Sequence, residues 1–371
     1  MKQVLLFIVV VVITMSHTVV AAAAAAAACP CSDTSLCQPL TVGPRQEFLG
    51  FTTGPNYEQF DWSHLTTLGV YYNIDPQLLC VAHSHNVRLV NGVAFPIDQL
   101  GNTQAQEQWI QQQIQWVQEN NFDGINFDIE DPIWPNMTLT SALLTAFIAQ
   151  TTYEFKQVNP NYQVTADVSW SPNCIDGRCY DFFGLSQATD FLVVMDYDLR
   201  SQVFSDQCTA SANSPLDLVT QGMINFTNIG VPANKLVMAV PWYGYTYQCL
   251  GDSLSIDTIV CPIALVPFLG VNCSDAAGKQ FPYSQIVEML ANQSLVSTGE
   301  LWSDELSSPF FNYMLESGQL NQVWYDNPES LSIKVSMAKK LGLRGVSVWV
   351  LDFLSTAQPT ETQMMWDAMN S

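Results

Sequence analysis

Eight stretches of the chain are dense in Val, Ile, Leu and aromatic residues, with little strict alternation of apolar and polar positions. They run over 47–54, 65–72, 86–95, 122–130, 162–170, 189–198, 234–245 and 343–353. Apolar residues at consecutive positions suit strands covered on both faces, as in a parallel sheet. The segments between them change period. In 103–120, Trp109, Ile110, Ile114, Trp116 and Val117 fall mostly along one helical stripe, and Thr103 is placed to cap its start. A second amphipathic helix is predicted over 141–158, and helical patterns over 216–230 and 329–342 precede strands in the same way. Lys339 and Lys340, followed by Gly342, read as a helix C-terminus.

Strands alternating with helices predict an α/β fold, specifically a (β/α)8 TIM barrel. A doubly wound sheet is the rival, but no glycine-rich dinucleotide fingerprint follows the first strand. The gap between the seventh and eighth strands is far longer than the others. Residues 246–325 therefore read as an insertion on a barrel that occupies 29–371.

Composition narrows the setting. The chain has 371 residues, 48% hydrophobic and 12% charged, enough for a large core. Its net charge of −22 leaves no basic patch to displace phosphate counterions, which excludes nucleic acid as a partner. Met1-Lys2, an apolar run and an alanine tract read as a signal segment over 1–28, removed on export, with no membrane association afterwards. The ten cysteines, all beyond that segment, then read as disulfides, with Cys174 and Cys179 close enough for a local bridge. The other pairings stay open. Sequons at Asn136, Asn225, Asn272 and Asn292 predict glycosylation at some of them. His83 and His85 have no nearby acid cluster and read as loop or surface residues. No metal or organic cofactor is implied, and a monomer is expected.

Candidate chemistry sits in Phe122–Glu130, FDGINFDIE. On a strand, Asn126, Asp128 and Glu130 share one face. In a barrel that face is the interior, with Glu130 at the C-terminal mouth and Asp128 a layer below. Unpaired buried acids are costly, and their repulsion raises at least one pKa, as a general acid requires. Only twelve Lys and Arg are available as structural partners.

These residues resemble the D-x-x-D-x-D-x-E motif of the family-18 glycoside hydrolases, the chitinases and their relatives. The chain reads Asp123-Gly-Ile-Asn126-Phe-Asp128-Ile-Glu130, so three of four acids match and Asn126 departs. MDYD (195–198), VPWYGY (240–245) and VSVWV (346–350) match further strand motifs, so the likeness spans nearly the whole mature chain. The CPC start, RCYDF and QVWYDNPES, with the Asn126 variant, resemble a lysosomal branch of the family.

The resemblance implies retaining hydrolysis in which the substrate's own acetamide is the nucleophile. Glu130 is then acid and base, Asp128 orients the acetamide N–H, and Tyr197 holds its oxygen. Asp198, Trp349, Trp242, Asp167 and Asn126 are candidates for binding the sugar, Trp349 as a stacking floor. Asn126 takes up no proton, so it is expected to fix Asp128 by hydrogen bonds and leave it easier to ionise. The implied substrate is an N-acetylglucosamine oligosaccharide: the chitobiose core of asparagine-linked glycans, or short chito-oligosaccharides. The implied compartment is the lysosome first, the extracellular space second. A chitinase acting on polymer and an inactive glycan-binding protein on the same barrel are the alternatives. The presence of Glu130 weighs against the latter.

Overall fold

The computed structural model describes residues 29–72, 74–199, 208–251 and 254–370; the predicted signal segment lies outside them. Seven parallel strands come first: β1 (Glu47–Thr52), β2 (Thr67–Val70), β3 (Arg88–Val93), β4 (Gly124–Phe127), β5 (Gln163–Ser169), β6 (Phe191–Met195) and β7 (Leu236–Pro241). After six strands of another sheet, β14 (Gly345–Trp349) completes the set. The order β1-β14-β7-β6-β5-β4-β3-β2 closes into a barrel, with Glu47 in register with Gly345 at the seam. The predicted TIM barrel is therefore the fold.

Helices cover its outside: α1 (Gln77–Ser84), α2 (Thr103–Asn120), α3 (Thr138–Val158), α4 (Phe182–Ala188) and α5 (Leu216–Asn228), then α7 (Pro328–Lys340) and α8 (Pro359–Ala368). On α2 the buried residues are Ile110, Ile114 and Val117, a row at i, i+4 and i+7. Its neighbour Trp109 stacks on Phe127 of β4 at 5.6 Å. The α2 cap is Asn102, whose side chain accepts from the Ala105 N–H at 3.2 Å; Thr103 is already the first helical residue. Gly342 adopts a φ of 68° just beyond α7, and its N–H reaches the Lys339 carbonyl, so the stop signal acts as read.

A second, antiparallel sheet lies between β7 and β14. It comprises β8 (Tyr243–Gln248), β9 (Gly278–Pro282), β10 (Val296–Ser297), β11 (Leu301–Ser303), β12 (Ser308–Met314) and β13 (Leu320–Trp324), with α6 (Tyr283–Ala291) after β9. Its first strand starts inside the run read as one barrel strand. Pro241 ends β7, the Trp242 N–H pairs with the Trp349 carbonyl, and the chain turns into an antiparallel partner of β9.

All ten cysteines are paired: Cys29–Cys37, Cys31–Cys80, Cys174–Cys179, Cys208–Cys273 and Cys249–Cys261. Among the described residues no helix is long and apolar enough to cross a membrane.

His83 corrects the sequence reading. It is buried, with Nδ1 2.7 Å from the Leu36 carbonyl and Nε2 3.0 Å from Asp123. Asp123 also accepts from the N–H groups of Leu40 and Leu89, both at 2.7 Å. The first acid of the motif therefore anchors the N-terminal segment, α1 and β3 beneath the barrel. A buried carboxylate needs such donors, and a local sequence window does not contain them.

Candidate active site

The strand carrying the motif is short. β4 ends at Phe127, and Asp128 continues it by donating its N–H to the Val93 carbonyl at 2.8 Å. Gly124 starts the strand at a φ of 149°; a Cβ there would lie 1.8 Å from the Gln163 carbonyl oxygen. That glycine lets β5 approach closely and fixes the register that places Asn126 opposite Thr165.

Alternation then does what the sequence reading required. Asp128 and Glu130 reach a cavity of about 240 Å³ at the C-terminal end of the barrel. Its walls are Asp128, Glu130, Asp167, Ser169, Arg178, Met195, Tyr197, Asp198, Tyr243, Gln280 and Trp349. The volume is below the ~300 Å³ at the low end of pockets for drug-sized ligands, room for a group the size of one sugar ring. Two structures outside the barrel strands close it. One is the β8–β9 ribbon, which supplies Tyr243 and Gln280. The other is the Cys174–Cys179 loop, which supplies Arg178.

Asp128 is half-buried, and its Oδ1 has no hydrogen-bond partner among the described residues. Burial pushes its carboxyl up to about 6, the Glu130 charge adds to this, and Arg178 opposes it. Below lies Asp167, held well above the usual carboxylate range by burial and by the Asp128 charge. The Glu130 side chain is 52% exposed and pairs with Arg178 at 3.0 Å.

Tyr197 is buried, and burial followed by the Asp167 charge holds its phenol well above the ordinary value, so it stays a neutral donor. Asp198 accepts from the hydroxyls of Tyr243 at 2.7 Å and Tyr245 at 2.9 Å, at a left-handed φ of 57°. Burial, and then the charge of Asp275, push its carboxyl up to about 7. The Trp349 ring is held by a tilted Phe51 at 5.5 Å and an edge-on Tyr71 at 5.7 Å, and is itself half-buried at the cavity wall.

Two candidates fall elsewhere. Trp242 is completely buried and packs on Trp366 at 5.0 Å, outside the barrel. The next residue, Tyr243, is the one in the cavity: it shares the inner cluster with Val237 and Ala239, whereas Trp242 lies with Leu236, Met238 and Val240 on the outer side, so the alternation of β7 runs on to Tyr243. Asn126 is completely buried and does not line the cavity. Its Nδ2 donates to Asp167 at 2.7 Å and to the Tyr71 hydroxyl at 3.0 Å, and its Oδ1 accepts from Thr165 at 2.6 Å. The sequence pattern predicts that it fixes Asp128; its hydrogen bonds instead support Asp167. Asn126 and Asp128 lie two residues apart along the strand, a rise of about 7 Å.

Sequence reasoning missed Arg178, Gln280, Ser169 and Met195. Arg178 left a trace: it is one of only twelve basic residues, next to a cysteine, in a strongly acidic chain.

Comparisons with known proteins bear on the family and the fold. Residues 97–353 match the family described as glycosyl hydrolases family 18. A probable di-N-acetylchitobiase 2 of Dictyostelium discoideum is 50% identical over 349 residues, covering 92% of this chain and 90% of that protein. The di-N-acetylchitobiase of Mus musculus is 41% identical, covering 92% of each chain, and that of Homo sapiens 38%, covering 92% and 88%. A class V chitinase structure from Nicotiana tobaccum superposes with a TM-score of 0.69 at 17% identity, over 88% of this chain and 99% of that one; it shares the fold.

Proposed function

This chain belongs to the glycosyl hydrolases of family 18, and from that premise we propose that it cleaves β-1,4 bonds between N-acetylglucosamine residues by retaining, substrate-assisted hydrolysis. It is a glycoside hydrolase, and its relatives support chitobiose hydrolysis. The observation that carries the finer reading is the placement of Asp128, Glu130 and Tyr197 around one sugar-sized cavity.

Both acids leave the end of the same strand, so they reach a bound sugar from one side. Direct double displacement needs carboxyls flanking the bond from opposite faces. An internal nucleophile removes that need. Glu130 gives its proton to the glycosidic oxygen as the acetamide oxygen attacks the anomeric carbon and the C–O bond breaks. Asp128 accepts from the acetamide N–H, which orients it and offsets the positive charge that develops. Tyr197 donates to the acetamide oxygen. Glu130, now a carboxylate, takes a proton from the incoming water. Trp349 offers an indole face to the ring, and Asp198 and Asp167 back the floor.

The substrate in this reading is the chitobiose core of asparagine-linked glycans, or short chito-oligosaccharides. Its support is the small cavity, closed by the β8–β9 ribbon and the disulfide loop. A polymer-cutting chitinase needs an open groove. The lysosome is the compartment that suits such a reaction. Five disulfides and exposed sequon asparagines at 136, 272 and 292 support passage through the secretory pathway; Asn225 is half-buried.

The test offers the purified chain chitobiose, a longer chito-oligomer, chitobiosyl-asparagine and insoluble chitin. Faster turnover of the short substrates, with β-anomeric product seen first by NMR, is the expected result. Preference for insoluble chitin overturns the substrate, and α-anomeric product overturns the mechanism.

The pH profile tests the role of Asp128. The Asp128–Glu130 pair works with one proton, on Glu130; a second proton, on Asp128, silences it. Activity is therefore lost as pH falls. The acid limb is expected below pH 6, because the repulsion from Glu130 that helps raise Asp128 to about 6 disappears once Glu130 is protonated. Asn126→Asp puts a carboxyl against Asp167, where the pair at 2.7 Å shares a proton. Any added negative charge raises Asp128, so the acid limb of kcat/KM is expected to move to higher pH. An unmoved limb refutes this coupling.

A further inference from the structure

Arg178 has no role in the scheme above, yet it is buried at the cavity wall and touches the proposed acid. Its Nη1 lies 3.0 Å from Glu130 Oε2, and its Nη2 lies 3.1 Å from Asp176 Oδ2. Its side chain is only 6% exposed, whereas that of Glu130 is 52% exposed. A half-exposed glutamate has several rotamers open to it. A buried guanidinium beside it selects one.

The guanidinium is itself held firmly. Arg178 sits in a loop closed by the Cys174–Cys179 disulfide. That loop is stitched to the segment after Glu130 by a parallel bridge between Ile133 and Arg178, and by the Cys179 N–H to the Ile133 carbonyl at 3.0 Å. Tyr180 adds its hydroxyl to the Ile129 and Asp131 carbonyls at 3.1 and 2.6 Å, on either side of Glu130. The loop after β5 thus binds the backbone that carries Glu130 and delivers a cation to its carboxylate.

We propose that Arg178 is a positioning residue for the reaction, fixing the Glu130 carboxyl and compensating the charge that appears on it when its proton leaves. In the first step the Glu130 proton moves to the glycosidic oxygen, the C–O bond breaks, and the acetamide oxygen bonds the anomeric carbon. Glu130 goes from neutral to −1, the sugar to +1, and the departing sugar leaves as a neutral alcohol. The attraction between Arg178 and Glu130 grows along that step, so it lowers the barrier more than it tightens substrate binding. Asp176 fixes the other end of the fork, so the guanidinium need not move as charge builds. This inference rests on Glu130 being the acid.

Steady-state kinetics on chitobiose separate the possibilities. Arg178→Gln is expected to lower kcat about 10²-fold, in the range for loss of one preorganised donor, with KM little changed. Arg178→Lys keeps the charge without the fork and is expected to recover part of the loss. Because Arg178→Gln strands the buried Asp176, the double variant Arg178→Gln/Asp176→Asn is run beside it, with thermal melting to confirm the fold. An unchanged kcat in the folded double variant overturns the proposal. So does a loss confined to KM, or a loss that Arg178→Lys does not relieve at all. Glu130→Gln is measured in parallel: if it is inactive while the Arg178 variants keep full kcat, this inference alone has failed. If Glu130→Gln is active, the reading beneath it has failed.

Discussion

Replacing Glu130 by glutamine is expected to lower kcat on chitobiose by about 10²–10⁴-fold, the contribution of a positioned general acid–base group, with little change in melting temperature. Glutamine keeps the shape and one oxygen but neither delivers a proton nor accepts one from water. Stability should hold because the side chain is 52% exposed, so its amide is hydrated rather than stranded. Arg178 loses a charge partner but keeps Asp176 at 3.1 Å. Substrate binding is expected to survive, since Trp349, Tyr197 and Asp128, the residues proposed to seat the sugar, line the cavity beside Glu130 and remain unchanged. A variant that retains kcat within about tenfold of the parent removes Glu130 from the acid role, because that is less than general-acid catalysis typically supplies.

The largest stability effect is expected far from the cavity, at Lys334. This lysine of α7 is completely buried and forms an ion pair with the buried Asp326, which also accepts from the Ser330 hydroxyl at 2.6 Å. Asp196, after β6, is buried too. Neither of its carboxylate oxygens has a hydrogen-bond partner among the described residues, and burial holds its carboxyl far above the usual range against the pull of Lys334. Lys334→Met removes the cation that both acids face. The expected cost is about 3–5 kcal/mol, the usual penalty for breaking a buried pair from one side. Adding Asp326→Asn should return much of it, since an amide tolerates the loss of the cation better than a carboxylate. Denaturant melts of the parent, single and double variants measure both numbers. A single variant within about 1 kcal/mol of the parent, the scale of a typical point mutation, shows that the pair adds little.

The fold was readable because its signals are local. Continuous apolar runs marked all eight barrel strands, and the period of 103–120 matched α2 residue for residue. Errors cluster where the chain leaves regular structure. The run 234–245 has one composition but two fates, because Pro241 ends the parallel ladder and Tyr243 starts an antiparallel one. The alternation nevertheless runs on through the break, so Tyr243, in phase with Val237 and Ala239, faces the cavity and Trp242 faces away. Asn126 was placed on the right face, but its partners come from the residue just after β2 and from β5, and only strand order and register decide those. His83 meets Asp123 across 40 positions of chain, and Arg178 meets Glu130 across a disulfide loop.

What the sequence determined by itself is the barrel, its period-two alternation, and therefore the shared inward face of Asn126, Asp128 and Glu130. Those follow from backbone geometry within a few residues. What only the tertiary structure decided is the company each of them keeps: Asp167 under Asn126, Arg178 on Glu130, and a ribbon from the second sheet over the mouth. Such contacts depend on barrel closure and strand register. These bring together segments that are distant in sequence and carry no common local pattern. FDGINFDIE therefore encodes where its acids point, and the rest of the chain sets which groups each of them meets.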